Sequence, residues 1–292
     1  MKRPFSSFIL RTIALVSMTF DHVAKMMAVF LPPSETLSTI YTIFNIIGRL
    51  AFPIYLFLII EGFVFTKDYK KYLIRMGAMA GIIFVGFVGA SFIVEDISSF
   101  LLYLGNIFLD LTLYLVFFYF LFNKNKLLKP LALLPLGYNV LVLLIQNGTI
   151  YINNPLAINF ISGLLTQYSV LNIFIMPLFP IVFCLFTFLK NKITKTEEPS
   201  YELKESNFNT RMYVFAIIVL IVGLLCYLFT YYPQINRHID YALQTYMLIS
   251  IAFILLYNGS KGYSNKFIQI AYYLYYPLHL VIIFLIVYLF TL

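Results

Sequence analysis

The chain has 292 residues, 62% of them hydrophobic and 11% charged, with a mean hydropathy of +0.90 and a formal net charge of +8. A water-soluble core cannot take up that much apolar side chain, so composition excludes an ordinary soluble domain and points to a lipid-embedded one. Most of the Lys and Arg fall in short segments between apolar runs, as expected beside an anionic leaflet, so the positive balance is read as topology and no nucleic-acid partner is expected.

Apolar stretches long enough to span a bilayer lie near 8–30, 40–65, 72–94, 99–122, 128–146, 170–189, 212–231, 241–257 and 268–290. They predict an all-α polytopic bundle of about nine transmembrane helices, forming one domain over residues 1–292. The first run is interrupted by Arg11, Asp21, His22 and Lys25 and lacks a small-residue cleavage site, so it is expected to be kept as a helix rather than removed as a signal peptide. Alternate loops collect Lys2, Arg3 and Arg11; Lys67, Lys70, Lys71 and Arg75; Lys124, Lys126 and Lys129; Lys190 to Arg211; and Lys261 and Lys266. The opposite loops carry only Arg237. That asymmetry predicts a cytoplasmic amino terminus, and an odd helix count then puts the carboxyl terminus outside a multi-pass cell membrane protein.

Asn147, Gly148, Asn153, Asn154 and Pro155 mark the segment 147–169 as an external loop with a short interfacial or re-entrant helix. The polar stretch Lys190 to Asn209, with Thr196, Glu197, Glu198, Pro199 and Ser200, reads as a flexible connector. Cys184 and Cys226 both fall in apolar runs and read as small buried hydrophobes, which favours neither a disulfide nor a thiolate metal site.

Ionisable residues inside spans are costly unless paired or hydrated, so Asp21, His22, Arg49, Asp110 and His279, with Lys25 and Glu61 nearer span ends, are expected to face the bundle interior or a water-filled cavity. Arg11 and His22 are eleven residues apart, which places them on nearly the same helix face about 16 Å apart, one interfacial and one near mid-membrane. Such a face suits an anion held at the rim by Arg11 and chemistry at His22; for Arg11 alone, snorkelling is the competing reading. Asp21 and His22 diverge by about 100° on a helix, so Asp21 is expected to pair with Arg49 from the second helix instead. That pair is either structural glue or a group that positions His22 and stabilises developing negative charge.

Pro53 and Pro277 cannot donate to the carbonyls of Arg49 and Tyr273, so both are expected to kink their helices. His279 reads as a ligand, a proton carrier or an interhelical hydrogen-bonder, and Glu61 as a cap on a polar entrance or a group reaching water. Asp110, with Asn106 one turn away, reads as an interhelical hydrogen-bonder, and Tyr272, Tyr273, Tyr275 and Tyr276 as an aromatic belt and packing surface. Three histidines, with His238 external, lack HExxH or clustered ligand spacing, so no metal is expected.

The segments ALVSMTFDHVAKM at 14–26, NIIGRLAFPIYLFLIIEGFVFT at 45–66 and YYLYYPLHLVIIFLI at 272–286 resemble TraX-family proteins. That family is named for a membrane protein that acetylates the amino terminus of conjugative pilin, and it is similar to the wider acyltransferase-3-like membrane acyltransferases. In those enzymes a basic residue, ten intervening residues and a histidine form a motif on the first helix, a spacing that Arg11 and His22 fit. The resemblance implies that Arg11 helps hold the phosphate portion of acyl-coenzyme A and that His22 acts in acyl transfer, as base or as acyl carrier. The larger family's RxxR loop pattern is absent, and Lys71 and Arg75, one turn apart, are the remaining phosphate-binding candidates.

The leading reading is therefore a membrane acetyltransferase that takes acetyl-coenzyme A from the cytoplasm to an amine or hydroxyl acceptor, whether a peptide or pilin-like amino terminus or a glycan. His22, Asp21 and Arg49 would act at the reacting centre, Arg11, Lys71 and Arg75 at the cofactor, with His279 and Glu61 as further candidates. The alternatives are a transporter or flippase whose buried Asp, Arg and His form a substrate path, and a structural membrane partner in which they are interhelical glue. Oligomeric state is not legible in the sequence.

Overall fold

A computed structural model describes residues 3–93, 101, 104–194, 202–231 and 240–289. The connector residues 195–201, together with Arg237 and His238, lie outside the described residues. The described chain is all α: α1 (Ser7–Phe30), α2 (Glu35–Gly48), α3 (Ala51–Phe65), α4 (Tyr69–Ile93), α5 (Ile107–Leu121), a 3-10 turn (Lys126–Ala132) leading into α6 (Leu133–Gln146), α7 (Pro155–Ser162), α8 (Ser169–Thr194), α9 (Phe208–Phe229), α10 (Tyr241–Gln244), a 3-10 segment (Thr245–Ile249), α11 (Ser250–Leu255) and α12 (Lys266–Leu289). Among the described residues no strand forms, and the isolated bridge Phe5–Tyr257 is the β contact.

Among the described residues, six helical stretches are long and apolar enough to cross a bilayer: Ser7–Ala28, Glu35–Phe65, Tyr69–Phe92, Lys126–Gln146, Ser169–Thr194 and Phe208–Phe229. Ile107–Leu121 and Tyr241–Leu255 are shorter apolar helices. Large apolar side chains such as Ile74, Val85, Ile181 and Leu185 are exposed, while Asp21, Glu61 and Asp110 are buried. That inversion of the soluble pattern is what a lipid solvent requires, and the chain is a multi-pass membrane protein.

The second span is not one kinked helix. It breaks at Arg49 and Leu50, because the Pro53 ring would collide with the Arg49 carbonyl in a continuous helix. Pro53 becomes the third residue of α3, where an N–H has no helical partner to lose. Asn154 accepts from the backbone N–H groups of Leu156 and Ala157, and with Pro155 at the first position it opens the short helix α7, as the loop sequence predicts.

By packing, the chain forms two compact units. Of the described residues, those of 3–58, 219–231 and 240–289 form the first, and those of 59–218 the second. In the first, α1 packs on α2 and on α12, and the segment before α1 is tied to the loop after α11 by Phe5 N–H to Leu256 O (3.1 Å) and Ser7 N–H to Ser260 O (2.8 Å). In the second, α5 packs on α4, α6 and α8, and α7 packs on α4.

Candidate active site

The close approach of α1 and α2 begins at Gly48. A Cβ at that position would lie 2.5 Å from Cβ of Asp21, so only glycine lets the two backbones meet there. The next residue, Arg49, caps α2 and donates from Nη2 to Oδ1 of Asp21 and to Oδ1 of Asn45 (3.0 Å), and from Nη1 to Oε1 of Gln244 (3.1 Å). Asp21 also accepts from Nζ of Lys25 at 2.8 Å, one helical turn away. Asp21, 3% exposed, thus sits between two cations, a geometry that keeps a carboxylate ionised away from water.

Neighbouring His22, 1% exposed, faces a different helix. Its Nδ1 lies 2.7 Å from Nε2 of His279 on α12, and Nδ1 of His279 lies 2.9 Å from the Tyr275 carbonyl. Two further contacts continue the seam: Thr12 Oγ1 to Tyr272 Oη at 2.6 Å and Thr19 Oγ1 to Tyr275 Oη at 2.7 Å. Both threonines spend their hydroxyl proton on the carbonyl four residues back, Phe8 and Leu15, so the tyrosines are the donors. The partners 12, 19 and 22 rise with 272, 275 and 279, so α1 and α12 run parallel. The Arg11 guanidinium lies 5.3 Å from the Tyr272 ring centroid. Arg11 and His22 therefore share the face of α1 turned to α12, and the tyrosines of α12 line that seam rather than forming only an outer belt.

The remaining candidates belong to the second unit. Glu61 is buried and meets Arg211 through two hydrogen bonds, Nε to Oε1 at 2.5 Å and Nη2 to Oε2 at 3.2 Å, so it does not reach water. Lys71 is exposed and pairs with Asp68 at 3.3 Å; the Lys71 backbone N–H and ammonium hold the Asp68 carboxyl below its ordinary range. Arg75 lies over the Tyr72 ring at 5.9 Å. Asp110 is fully buried; its Oδ2 accepts from Gln167 N–H (2.8 Å) and its Oδ1 from Tyr168 N–H (3.2 Å) and Asn172 Nδ2 (2.5 Å). Asn106, rather than bonding Asp110 through its side chain, caps α5 through Leu109 N–H and donates to the Ala80 and Gly163 carbonyls.

Gln244 and Arg211 are partners that sequence reading did not single out, and Lys25, noted in the first span, was not paired with Asp21 although its four-residue spacing carried that signal. Cys226 is buried as expected, whereas Cys184 is exposed on the outer side of α8. Among the described residues no three His, Cys, Asp or Glu side chains converge as metal ligands.

A family model described as TraX protein matches residues 6–195. A "Probable fimbrial assembly protein FimC, serogroup H1" of Dichelobacter nodosus is similar along nearly the full length, 24% identical over 285 residues that cover 96% of this chain and 94% of that protein. No solved structure matches. The matched region holds Arg11, Asp21, His22 and Arg49 and most of the helices, and the chain belongs to the TraX family.

Proposed function

We propose that the protein is an acetyl-coenzyme A-dependent acetyltransferase of the cell's inner membrane, acting on an amine or hydroxyl acceptor. The observation that carries this reading is the buried His22, held by His279 and flanked by the Asp21–Arg49–Lys25 cluster, on the same helix face as Arg11. Arg11 would hold a phosphate of the donor at the cytoplasmic rim. A cytoplasmic amino terminus and about nine crossings complete the arrangement; the parallel α1 and α12 support an odd number of crossings.

In the reaction an imidazole nitrogen of His22 takes a proton from the acceptor amine as that amine attacks the thioester carbonyl carbon. The carbonyl oxygen gains negative charge, which the Arg49 and Lys25 charges favour. Collapse breaks the C–S bond, and His22 returns the proton to the departing sulfur, leaving an N-acetyl product and free coenzyme A thiol. The fimbrial name of the relative favours the amino terminus of a pilin-like subunit as acceptor.

Purified protein is expected to release coenzyme A thiol from acetyl-coenzyme A in the presence of a pilin-like peptide and to add one acetyl group to it by mass spectrometry. His22→Ala should fold and lose turnover. Unchanged turnover in a folded His22→Ala protein, or absence of any acetylated acceptor with wild type, defeats the reading.

A further inference from the structure

We infer that His279 is a positioning residue that fixes the tautomer and ring plane of His22, so that Nε2 of His22 is the atom that exchanges protons; this rests on the acetyl-transfer reading above. The Tyr275 carbonyl can only accept a hydrogen bond. Nδ1 of His279, 2.9 Å away, must therefore carry a hydrogen. A neutral His279 then presents a lone pair at Nε2, and the 2.7 Å contact is made by a hydrogen on Nδ1 of His22. A doubly protonated His279 would reverse that bond, but it would add a cation to a buried region where Lys25 and Arg49 already outnumber the Asp21 carboxylate. With Nδ1 committed as donor, the free lone pair of His22 is on Nε2.

The rings are held in plane as well as in tautomer. The His22 and His279 rings lie edge to edge along their Nδ1–Nε2 contact and nearly in one plane, with centroids 4.9 Å apart and planes 23° apart, and the Tyr275 ring is nearly parallel to His279 at 5.0 Å and 7°. The Tyr276 ring stands edge-on to both, 5.8 Å from His22 and 5.2 Å from His279. The chain of bonds ends on a backbone carbonyl, which has no proton to give and no pair basic enough to keep one. His279 therefore orients and does not relay. Asp21 supplies the nearby negative charge but is occupied by Arg49 and Lys25, so charge compensation and orientation come from different helices.

Nitrogen-15 NMR of histidine-labelled protein in nanodiscs reads the tautomer in wild type without any substitution. The expected spectrum shows His22 protonated at Nδ1 and bare at Nε2; a neutral His22 carrying its hydrogen on Nε2 overturns the inference. His279→Leu removes the acceptor and is expected to lower kcat at least about a hundredfold, with KM for acetyl-coenzyme A unchanged. His279→Gln places a carboxamide oxygen near the lost Nε2 and is expected to recover at least a tenth of the wild-type kcat. Wild-type kcat in folded His279→Leu overturns the inference, and so does a His279→Gln protein as slow as the Leu variant, which would make the ring a proton carrier. Turnover that survives His22→Ala likewise overturns the inference, whereas absence of any acetylated acceptor with wild type defeats the acetyl-transfer reading instead, while the wild-type NMR result still decides the tautomer.

Discussion

Asp21 and His22 are neighbours in the chain, yet their side chains meet different helices: the Asp21 carboxylate is gripped by Arg49 at the end of α2, while the His22 ring meets His279 on α12. The roughly 100° between consecutive residues of a helix makes this division possible. One turn of α1 thereby joins an ion-pair cluster to an imidazole pair.

Arg49 serves Asp21, Asn45 and Gln244 at once through the planar fork of its guanidinium. A lysine offers a point charge and cannot reach all three. Arg49→Lys is expected to fold but to lose more than tenfold in kcat with KM for acetyl-coenzyme A little changed. Arg49→Met leaves a buried carboxylate short of one partner and should cost about 3–5 kcal/mol. Thermal unfolding in detergent and acetyl-transfer kinetics on the same preparations check both. Full kcat in Arg49→Lys would leave the pair a purely structural role.

Gly48→Ala tests the helix approach that creates this cluster. The added methyl would lie 2.5 Å from Cβ of Asp21, so α1 and α2 must separate, at about 1–3 kcal/mol. The Asp21–Arg49 bond lies on the adjacent residue, so kcat should fall with stability. Gly81→Ala on α4, where the new Cβ meets nothing within 4 Å, is expected to be neutral or stabilising by about 0.5–1 kcal/mol. Equal behaviour of the two variants in thermal unfolding would contradict the packing described.

What the sequence disclosed follows from range. Hydrophobic length, the presence of a short helix within 147–169 and the shared face of Arg11 and His22 are local properties, readable from short-range composition and 3.6 residues per turn. The depth match of Asp21 and Arg49 needed only two consecutive spans running in opposite directions. The His22–His279 bond joins residues 257 apart across parallel helices, and no local pattern encodes that register. Glu61 and Arg211, 150 residues apart, were hidden for the same reason. The break at Arg49 was half legible: Pro53 announced a disturbance, but whether a helix kinks or restarts depends on what packs around it. The outward face of Cys184 likewise depends on which side of α8 its neighbours cover.

The Glu61–Arg211 pair separates stability from chemistry. Both side chains are buried, at 3% and 2% exposure, and Arg211 also donates to the Ser206 carbonyl. Arg211→Met is expected to cost about 3–5 kcal/mol because it strands the Glu61 charge. Replacing both, as Glu61→Leu with Arg211→Met, should recover most of that loss, since two desolvated charges are removed together. At a temperature where each protein is folded, kcat per folded molecule should stay within about twofold of wild type. A tenfold loss in the stable double variant would tie Glu61 to the reaction.

Asp110 is a buried carboxylate that makes no ion pair among the described residues. Its oxygens instead meet the N–H groups of Gln167 and Tyr168 just ahead of α8, and the amide of Asn172 within that helix's first turn, where the helix dipole favours negative charge. The turn that presents these donors packs against Gly105, whose φ of +66° suits glycine; a Cβ there would lie 2.5 Å from Cα of Gln167. Asp110→Asn keeps one acceptor oxygen and turns an NH2 toward one of the former donors, so a backbone N–H loses its partner. The expected cost is about 1–3 kcal/mol, less than for Arg49→Met, because the substitution also removes a charge that burial penalises. Asp110→Leu removes every acceptor and should unfold at a markedly lower temperature than Asp110→Asn. With folding monitored by thermal denaturation in nanodiscs, folded Asp110→Asn should acetylate a pilin-like peptide at a kcat within about twofold of wild type. A well-folded Asp110→Asn protein with a tenfold lower kcat would move Asp110 from holding the start of α8 to the chemistry itself.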